Sequence, residues 1–372
     1  MILGIDTSTY LEELANDAKY FVNGIQVDPL DILRTNGVDH MRIRLWNNPF
    51  DKNGVAYLGG TCGVDNFLQL ATLAQSKGYK ILLDFHYSDF WADPAKQMLP
   101  KAWSGYSVSQ LEKAVYQFTK DVLVQAKVNN IDIAMVQVGN EITNGILWPH
   151  GQLTGGTDGV RNGYDKLVKF LKAGISACRE IFPKAKIVLH LERSYDQAVY
   201  TEFFTQMQQY NVDYDIIGMS YYPYWHGTMD MFFANVNNCK KFGKPIINAE
   251  LGYGFTTEGC VIVKDGVTYQ VALNTMTVDD YGVVNQYPLT QQGQATFIKD
   301  FIARAEQEGL AGVFYWEPLW LPGENICWAS HEGQDYIHES GKPTANEVAN
   351  CCFFDYFGNA LPALYEFSIK RK

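Results

Sequence analysis

The sequence predicts an α/β fold, a (β/α)8 TIM barrel, as one domain over residues 1–372. Three observations carry that expectation. Eight short strand-like runs recur along the chain, and most alternate with runs of helical periodicity. No linker rich in Pro, Gly or Ser and no low-complexity stretch separates them, so nothing marks a domain boundary. Most of the runs end in polar residues, and the C-terminal rim of the strands is where such a barrel carries its site.

Met1–Asp6 reads as the first strand and Tyr10–Ala18 as a helix capped by Ser8 or Thr9. Lys19–Val27 carries Asn23-Gly24, a hairpin turn signal. Pro29–Asn36 is a helix with proline in its first turn and Gly37 after its end. His40–Trp46 is the second strand, Val64–Lys77 a helix and Lys80–His86 the third strand. A long loop over Tyr87–Ser107 precedes a helix at Val108–Val128. Ile131–Ile142 is the fourth strand, apolar on both faces as a barrel strand should be until Gly139-Asn140-Glu141 breaks it. Further on, Gly159–Ile181, Asp196–Tyr210, Thr228–Phe242 and Leu289–Gly309 read as helices. Lys186–Glu192, Ile216–Tyr222, Pro245–Glu250 and Gly312–Trp316 read as strands. Val261–Val271 reads as a hairpin turning at Asp265-Gly266, and Asn359–Lys370 as helical in part. Long loops are thus expected after strands 3, 7 and 8.

A net charge of −11 argues against nucleic acid or an anionic membrane as a partner. No apolar run is long enough to span a bilayer. The first residues lack the basic flank and length of a signal peptide, so an exported protein would have lost its leader from this chain. The aromatic fraction of 14% is high, and rings at a rim are the usual platform for sugars. The seven cysteines include no repeated zinc spacing, and a disulfide involving Cys260 or Cys327 stays open.

At the strand ends stand Arg42 and Arg44, then Asp84 and His86, Asn140 and Glu141, His190 and Glu192, Ser220–Tyr222, Glu250, and Trp316-Glu317. So much charge is too polar for a core, because unpaired buried charge is costly. The pair Glu141 and Glu250 fits glycoside hydrolysis, which needs one acid and one nucleophile or base. Glu141 is expected to be the acid/base, its carboxyl kept protonated chiefly by the charge of Glu250. Glu250 is expected to be the nucleophile, kept ionised by Arg44 and a hydrogen bond from Tyr222. Substrate-binding candidates are Arg44, Asp84, His86, Trp91, Asn140, Tyr222 and Trp316. Asn140 would donate to a sugar 2-hydroxyl, and His86 would bind a hydroxyl or orient a carboxylate. Trp91 and Trp103 would stack on sugar rings, with Trp148, Tyr224, Trp225 and Trp320 raising the same question. Histidines are scattered singly rather than paired at one strand end, so no metal is expected.

At Met41–Trp46, Asp84–Pro94, Val136–Glu141 and Gly312–Pro318 the chain resembles glycoside hydrolase family 53, the endo-β-1,4-galactanases. The resemblance runs over almost the whole chain, and the strand 3 run Asp84–Pro94 is its most specific part. It implies hydrolysis, with retention, of the β-1,4-galactan side chains of pectin (type I arabinogalactan), with Glu141 as acid/base and Glu250 as nucleophile. A polysaccharide is the expected partner, and the protein is expected to be a monomer outside the cell or at its surface. Many bacterial members carry a calcium-binding run after strand 7. Residues 251–288 lack it, which counts against a structural calcium; no cofactor is expected. The setting of Glu250, Asn248–Tyr253, also departs from the family's usual neighbourhood. Rival readings are a β-mannanase or xylanase of the same clan, a glycan-binding barrel without catalysis, and a metal-dependent barrel hydrolase.

Overall fold

The computed structural model describes residues 1–157, 159–264, 267–272 and 281–368. Eight parallel strands close a barrel: β1 Ile2–Asp6, β2 His40–Leu45, β3 Lys80–Phe85, β4 Ile133–Val138, β5 Lys186–Leu191, β6 Ile216–Tyr221, β7 Ile246–Leu251 and β8 Gly312–Trp316. Each strand pairs with its neighbours in the chain, and β1 closes on β8 from Ile2 opposite Gly312 to Asp6 opposite Trp316. The helices between them are α1 Pro29–Thr35, α2 Val64–Ser76, α3 Val108–Val128, α4 Tyr164–Ile181, α5 Gln197–Gln209, α6 Met229–Cys239 and α7 Gln291–Glu308.

Local sequence explains their ends. Asp28 caps α1 by accepting the Leu30 N–H at 2.9 Å, and Pro29 occupies the first turn, where no amide proton is needed. Ser107 and Gln110 form a reciprocal capping box at α3. From there Leu111, Val115, Val122, Leu123 and Ala126 recur at helical spacing and are buried.

Period-two alternation builds the barrel interior in layers. Leu82, Met135, Val188, Ile216, Ile247, Ala249 and Phe314 form an inner apolar cluster. Two residues further along their strands, Asp84, Gln137 and His190 sit buried above it. Gly4 is the small member of the apolar layer. A Cβ there would lie 2.2 Å from the Phe314 ring.

Several elements differ from expectation. Strand β4 stops at Val138, because Gly139 takes φ 89° and Glu141 φ 47°. Helix α4 begins at Tyr164, since Thr154–Thr157 and Val160–Asn162 pair as a small antiparallel ladder. The helix expected over Tyr10–Ala18 spans only Tyr10–Ala15, with Asp17 at φ 60°. Near the end of the chain only Ala363–Glu366 is α-helical among the described residues, and 369–372 lie outside them. The hairpin at Asn23-Gly24 forms, with both turn residues at positive φ. Cys260–Lys264 pairs with Val267–Ala272. The expected turn at Asp265-Gly266 lies outside the described residues, as does part of the 251–288 segment. All seven cysteines are free and buried. Among the described residues no helix is long and apolar enough to cross a membrane.

Beneath the mouth of the barrel, Glu12 and Glu13 lie near Glu317. Burial raises the Glu12 carboxyl to about 7 and holds the Glu13 carboxyl well above the usual range. Both acids keep protons in the folded chain that the unfolded chain releases near 4.5. The stabilisation from each is therefore fully present below that value; the Glu12 share is lost as pH rises through about 7, and the Glu13 share as pH rises through its own raised value. Glu13→Gln should flatten the fall of Tm as pH rises above about 4.5, measured by calorimetry in a pH series; an unchanged slope would remove Glu13 as a source. Gly4→Val should cost about 1–3 kcal/mol by overpacking, read from urea unfolding. A wild-type midpoint would show that the Phe314 ring has room to yield.

Candidate active site

Two local irregularities place the acidic residues. Gly139 needs positive φ, and a Cβ there would meet Ile142 Cγ2 at 2.6 Å, so the strand turns where only glycine fits. Asn140 and Glu141 follow it into the cleft. On β7, Ile247 and Ala249 face the inner cluster, so plain alternation would turn Glu250 away. A bulge resolves this: Asn248 pairs with Met219 but Glu250 with Ser220, leaving Ala249 as the extra residue. Glu250 thereby also reaches the mouth of the barrel.

Arg42 is fully buried at the centre of the mouth. Its Nη1 donates to Asp6 Oδ2 at 2.7 Å. Its Nη2 reaches Asp84 Oδ2 and Asn140 Oδ1, each at 2.8 Å, and Glu250 Oε1 at 2.9 Å. Its Nε donates to Gln137 Oε1 at 3.2 Å. The expected partner of Glu250, Arg44, is elsewhere: it pairs with Glu317 and donates to the Gly59 carbonyl at 2.8 Å. Both arginines share the inward parity of β2. The tilt of barrel strands carries the later residue sideways, toward β1 and β8. The Tyr222 hydroxyl donates to Glu250 Oε2 at 2.9 Å.

Oxygens of Glu141 and Glu250 and a nitrogen of His190 lie within 4.8 Å of one another. Burial is the first cause that raises the Glu141 carboxyl well above the usual range; the charges of Glu250 and Glu192 add to it. This corrects the expectation that Glu250 would be the chief cause. Burial also lifts Glu250, to about 7, while Arg42 and the Tyr222 hydroxyl pull it back. Glu141 has no cation in direct contact among the described residues, so Glu250 ionises first and Glu141 retains the proton.

The cleft over this pair holds about 670 Å³. Arg44, His86, Trp91, Asn140, Tyr222 and Trp316 line it, as do Trp225 and Trp320. Asp84 does not: it is wholly buried under Arg42 and accepts from Gln137 at 2.6 Å, so its place is support rather than sugar contact. His86 spends both ring nitrogens on the protein, at Asp84 Oδ2 (3.1 Å) and the Ala92 N–H (3.2 Å), which favours an orienting role. Asn140 gives one amide hydrogen to the Ala92 carbonyl at 2.9 Å and keeps its second. The Trp91 indole N–H donates to the Trp328 carbonyl at 2.9 Å, and Arg44 lies 4.4 Å from its ring, so this residue braces the loop as well as walling the cleft.

Trp103, Trp148 and Tyr224 leave the cleft altogether. Trp103 packs on Phe118 of α3, Trp148 bonds the Asn144 carbonyl, and Tyr224 stacks on Tyr253. Sequence reasoning assigned no role to Asp6, Gln137, His190 or Ser220. Their strand-end parity was the available signal. Among the described residues, Glu141, His190 and Glu250 form the one group spaced for a metal, but both His190 nitrogens face protein partners.

The chain matches the family model for Glycosyl hydrolase family 53 over residues 2–367. It is 34% identical to the endo-beta-1,4-galactanase of Bacillus subtilis (strain 168), covering 98% of this chain and 85% of that protein. It superposes on the GH53 catalytic domain of Ignisphaera aggregans with a TM-score of 0.84 and 37% identity, covering 98% and 95%. A fungal β-1,4-galactanase structure gives a TM-score of 0.76 at 26% identity, covering 99% and 98%.

Removing one member of the buried ion network strands the others. Arg42→Met should lower unfolding free energy by about 3–5 kcal/mol, because Asp84 and Glu250 lose their cation. It should also move the acidic limb of the activity profile to higher pH, since Arg42 lowers the Glu250 carboxyl. Urea unfolding and a pH–rate series check both; a wild-type acidic limb would separate Arg42 from the ionisation of Glu250.

Proposed function

The chain belongs to glycosyl hydrolase family 53, and from that premise we propose that it is a retaining endo-β-1,4-galactanase working through Glu141 and Glu250. The observation that carries this reading is the carboxyl pair, with oxygens within 4.8 Å and unequal surroundings. Retaining glycosidases hold their carboxyls about 5 Å apart, whereas inverting ones leave a wider gap of about 6.5–9.5 Å for a water.

Glu250, ionised beside Arg42 and Tyr222, attacks the anomeric carbon. Glu141 delivers its proton to the leaving oxygen as the glycosidic bond breaks. The resulting galactosyl ester on Glu250 is then hydrolysed by water, from which Glu141 removes a proton. The open amide hydrogen of Asn140 is placed to meet the sugar 2-hydroxyl, a contact that strengthens in the transition state. The whole chain then forms one catalytic barrel, and no cofactor enters these steps.

The substrate we assign is the β-1,4-galactan of type I arabinogalactan in pectin. The axial 4-hydroxyl of galactose bends that chain. The indole rings of Trp91, Trp225, Trp316 and Trp320 wall the cleft from several loops, which suits a curved polymer. A polymer of this kind is met outside the cell or at its surface, and we place the protein there as a monomer.

Glu141→Gln should lower kcat on linear galactan by about 10²–10⁴-fold, the usual weight of a general acid, and Glu250→Gln by at least as much. Both variants should stay folded, with Glu141→Gln melting near wild type and Glu250→Gln somewhat lower, because Arg42 loses one carboxylate partner while Asp6 and Asp84 remain. NMR of the first product should show the β-anomer, and a reducing-sugar panel should rank galactan above xylan and glucomannan. An initial α-anomer would exclude retention, and faster cleavage of xylan or glucomannan would exclude the galactan assignment.

A further inference from the structure

We propose that Ser220 and His190 are positioning residues that hold Glu141 at two points and direct its transferable proton onto Oε2. The inference rests on the acid/base reading of Glu141 given above. It starts from hydrogen bonds that the catalytic steps leave unused. The Ser220 hydroxyl donates to Glu141 Oε1 at 2.6 Å. His190 Nε2 lies 2.8 Å from Ser220 Oγ. On the other side of the ring, the backbone N–H of Glu141 faces His190 Nδ1 at 3.4 Å.

Proton counting sets the directions. A serine hydroxyl has one hydrogen, and here it is committed to Glu141 Oε1. Ser220 Oγ must then accept from His190, so Nε2 carries the ring proton and Nδ1 is bare. A bare Nδ1 suits its surroundings, since it meets the Glu141 backbone N–H, which can only donate, and Gln137 Nε2 at 3.1 Å. The reverse chain would set an Nδ1–H against both donors. Its one matching acceptor, Asn140 Oδ1 at 3.1 Å, already accepts from Arg42 and would in that case also take the second amide hydrogen of Gln137, whose first is held by Asp84. His190 is fully buried, and burial together with Arg42, His86 and His226 keeps it neutral.

With Oε1 occupied by the serine proton, a protonated Glu141 carries its hydrogen on Oε2. During glycosylation, that hydrogen passes to the glycosidic oxygen, which leaves with the bonding electron pair as the Glu250–sugar bond forms. Oε1 keeps its hydrogen bond to Ser220, so the new carboxylate stays in place. Oε2 then takes the proton of the attacking water as the ester bond breaks. The clamp also steadies a strained backbone, since Glu141 sits at φ 47° and ψ 52°.

The test is a pH–rate series on linear galactan. Glu141 is surrounded by Glu250, Glu192 and Asp93, none of which Ser220→Ala removes. That variant should lower kcat about 10–100-fold with KM within about twofold, consistent with loss of an oriented general acid. Its basic limb should move to higher pH, because a hydrogen bond that favours the Glu141 carboxylate is gone, while the acidic limb stays. Ser220→Thr, which restores the hydroxyl, should return both. His190→Phe keeps volume but leaves Ser220 unanchored; it should move the basic limb in the same direction by less, and it tests the chain even if Ser220→Ala folds poorly. A uniform loss with both limbs unmoved, or no rescue by threonine, would overturn the proposal. Azide rescue of Glu141→Ala on an activated aryl galactobioside separates the two levels. Rescue with an unmoved Ser220→Ala limb rejects the clamp alone, whereas absence of rescue rejects the acid/base reading beneath it.

Discussion

One guanidinium organises the mouth of this barrel. Arg42 is withdrawn from water, which is costly, and the cost is offset only because its donors meet acceptors on several strands. It ties β1 through Asp6, β3 through Asp84, β4 through Gln137, and β7 through Glu250. From Asp84 the order passes to His86, and from the His86 ring to the Ala92 amide. That step fixes the start of the long loop carrying Trp91. A network of this kind tolerates loss of all its members better than loss of one, because a remaining charge has nowhere to go.

The same arginine separates two residues of the same type. Glu250 has a cation and a phenol in contact, and Glu141 has a serine hydroxyl and neighbouring carboxylates. Burial raises both, but only one has a counter-charge. Two glutamates with one chemistry thus acquire different proton occupancies from their surroundings, which is the condition an acid and nucleophile pair requires.

Much of this was legible in the sequence, and the failures have definite causes. The barrel strands were readable because buried parallel strands are apolar on both faces and most end in a polar residue. Parity placed Arg42 and Arg44 on the same face but could not say which would meet Glu250, since strand tilt is not encoded in alternation. Parity would even have turned Glu250 outward; only the bulge at Ala249 brings it in. The loop aromatics divided for a different reason. Trp91 has Arg44 beside its ring and a carbonyl for its indole N–H, both supplied by distant segments. Trp103 meets Phe118 first. Nothing in the immediate sequence of either ring distinguishes the two. The second strand of the ladder after β4, Val160–Asn162, reads as the start of a helix because Gly159 and Gly163, both at positive φ, look in sequence like ordinary small residues within a longer helical run.

The closure of β1 on β8 has a consequence for how the enzyme comes into being. Arg44 emerges from the ribosome early, yet its carboxylate partner Glu317 lies 273 residues later. Until β8 arrives, β1 lacks a neighbour on one side and the arginines of β2 lack part of their counter-charge. The mouth of the barrel is therefore finished only when the ring is, once β8 has been made. A chain cut short before β8 would retain Glu141 and Glu250 while lacking the strand that closes their frame. Synthesis to the far end of the barrel thus acts as a checkpoint on activity.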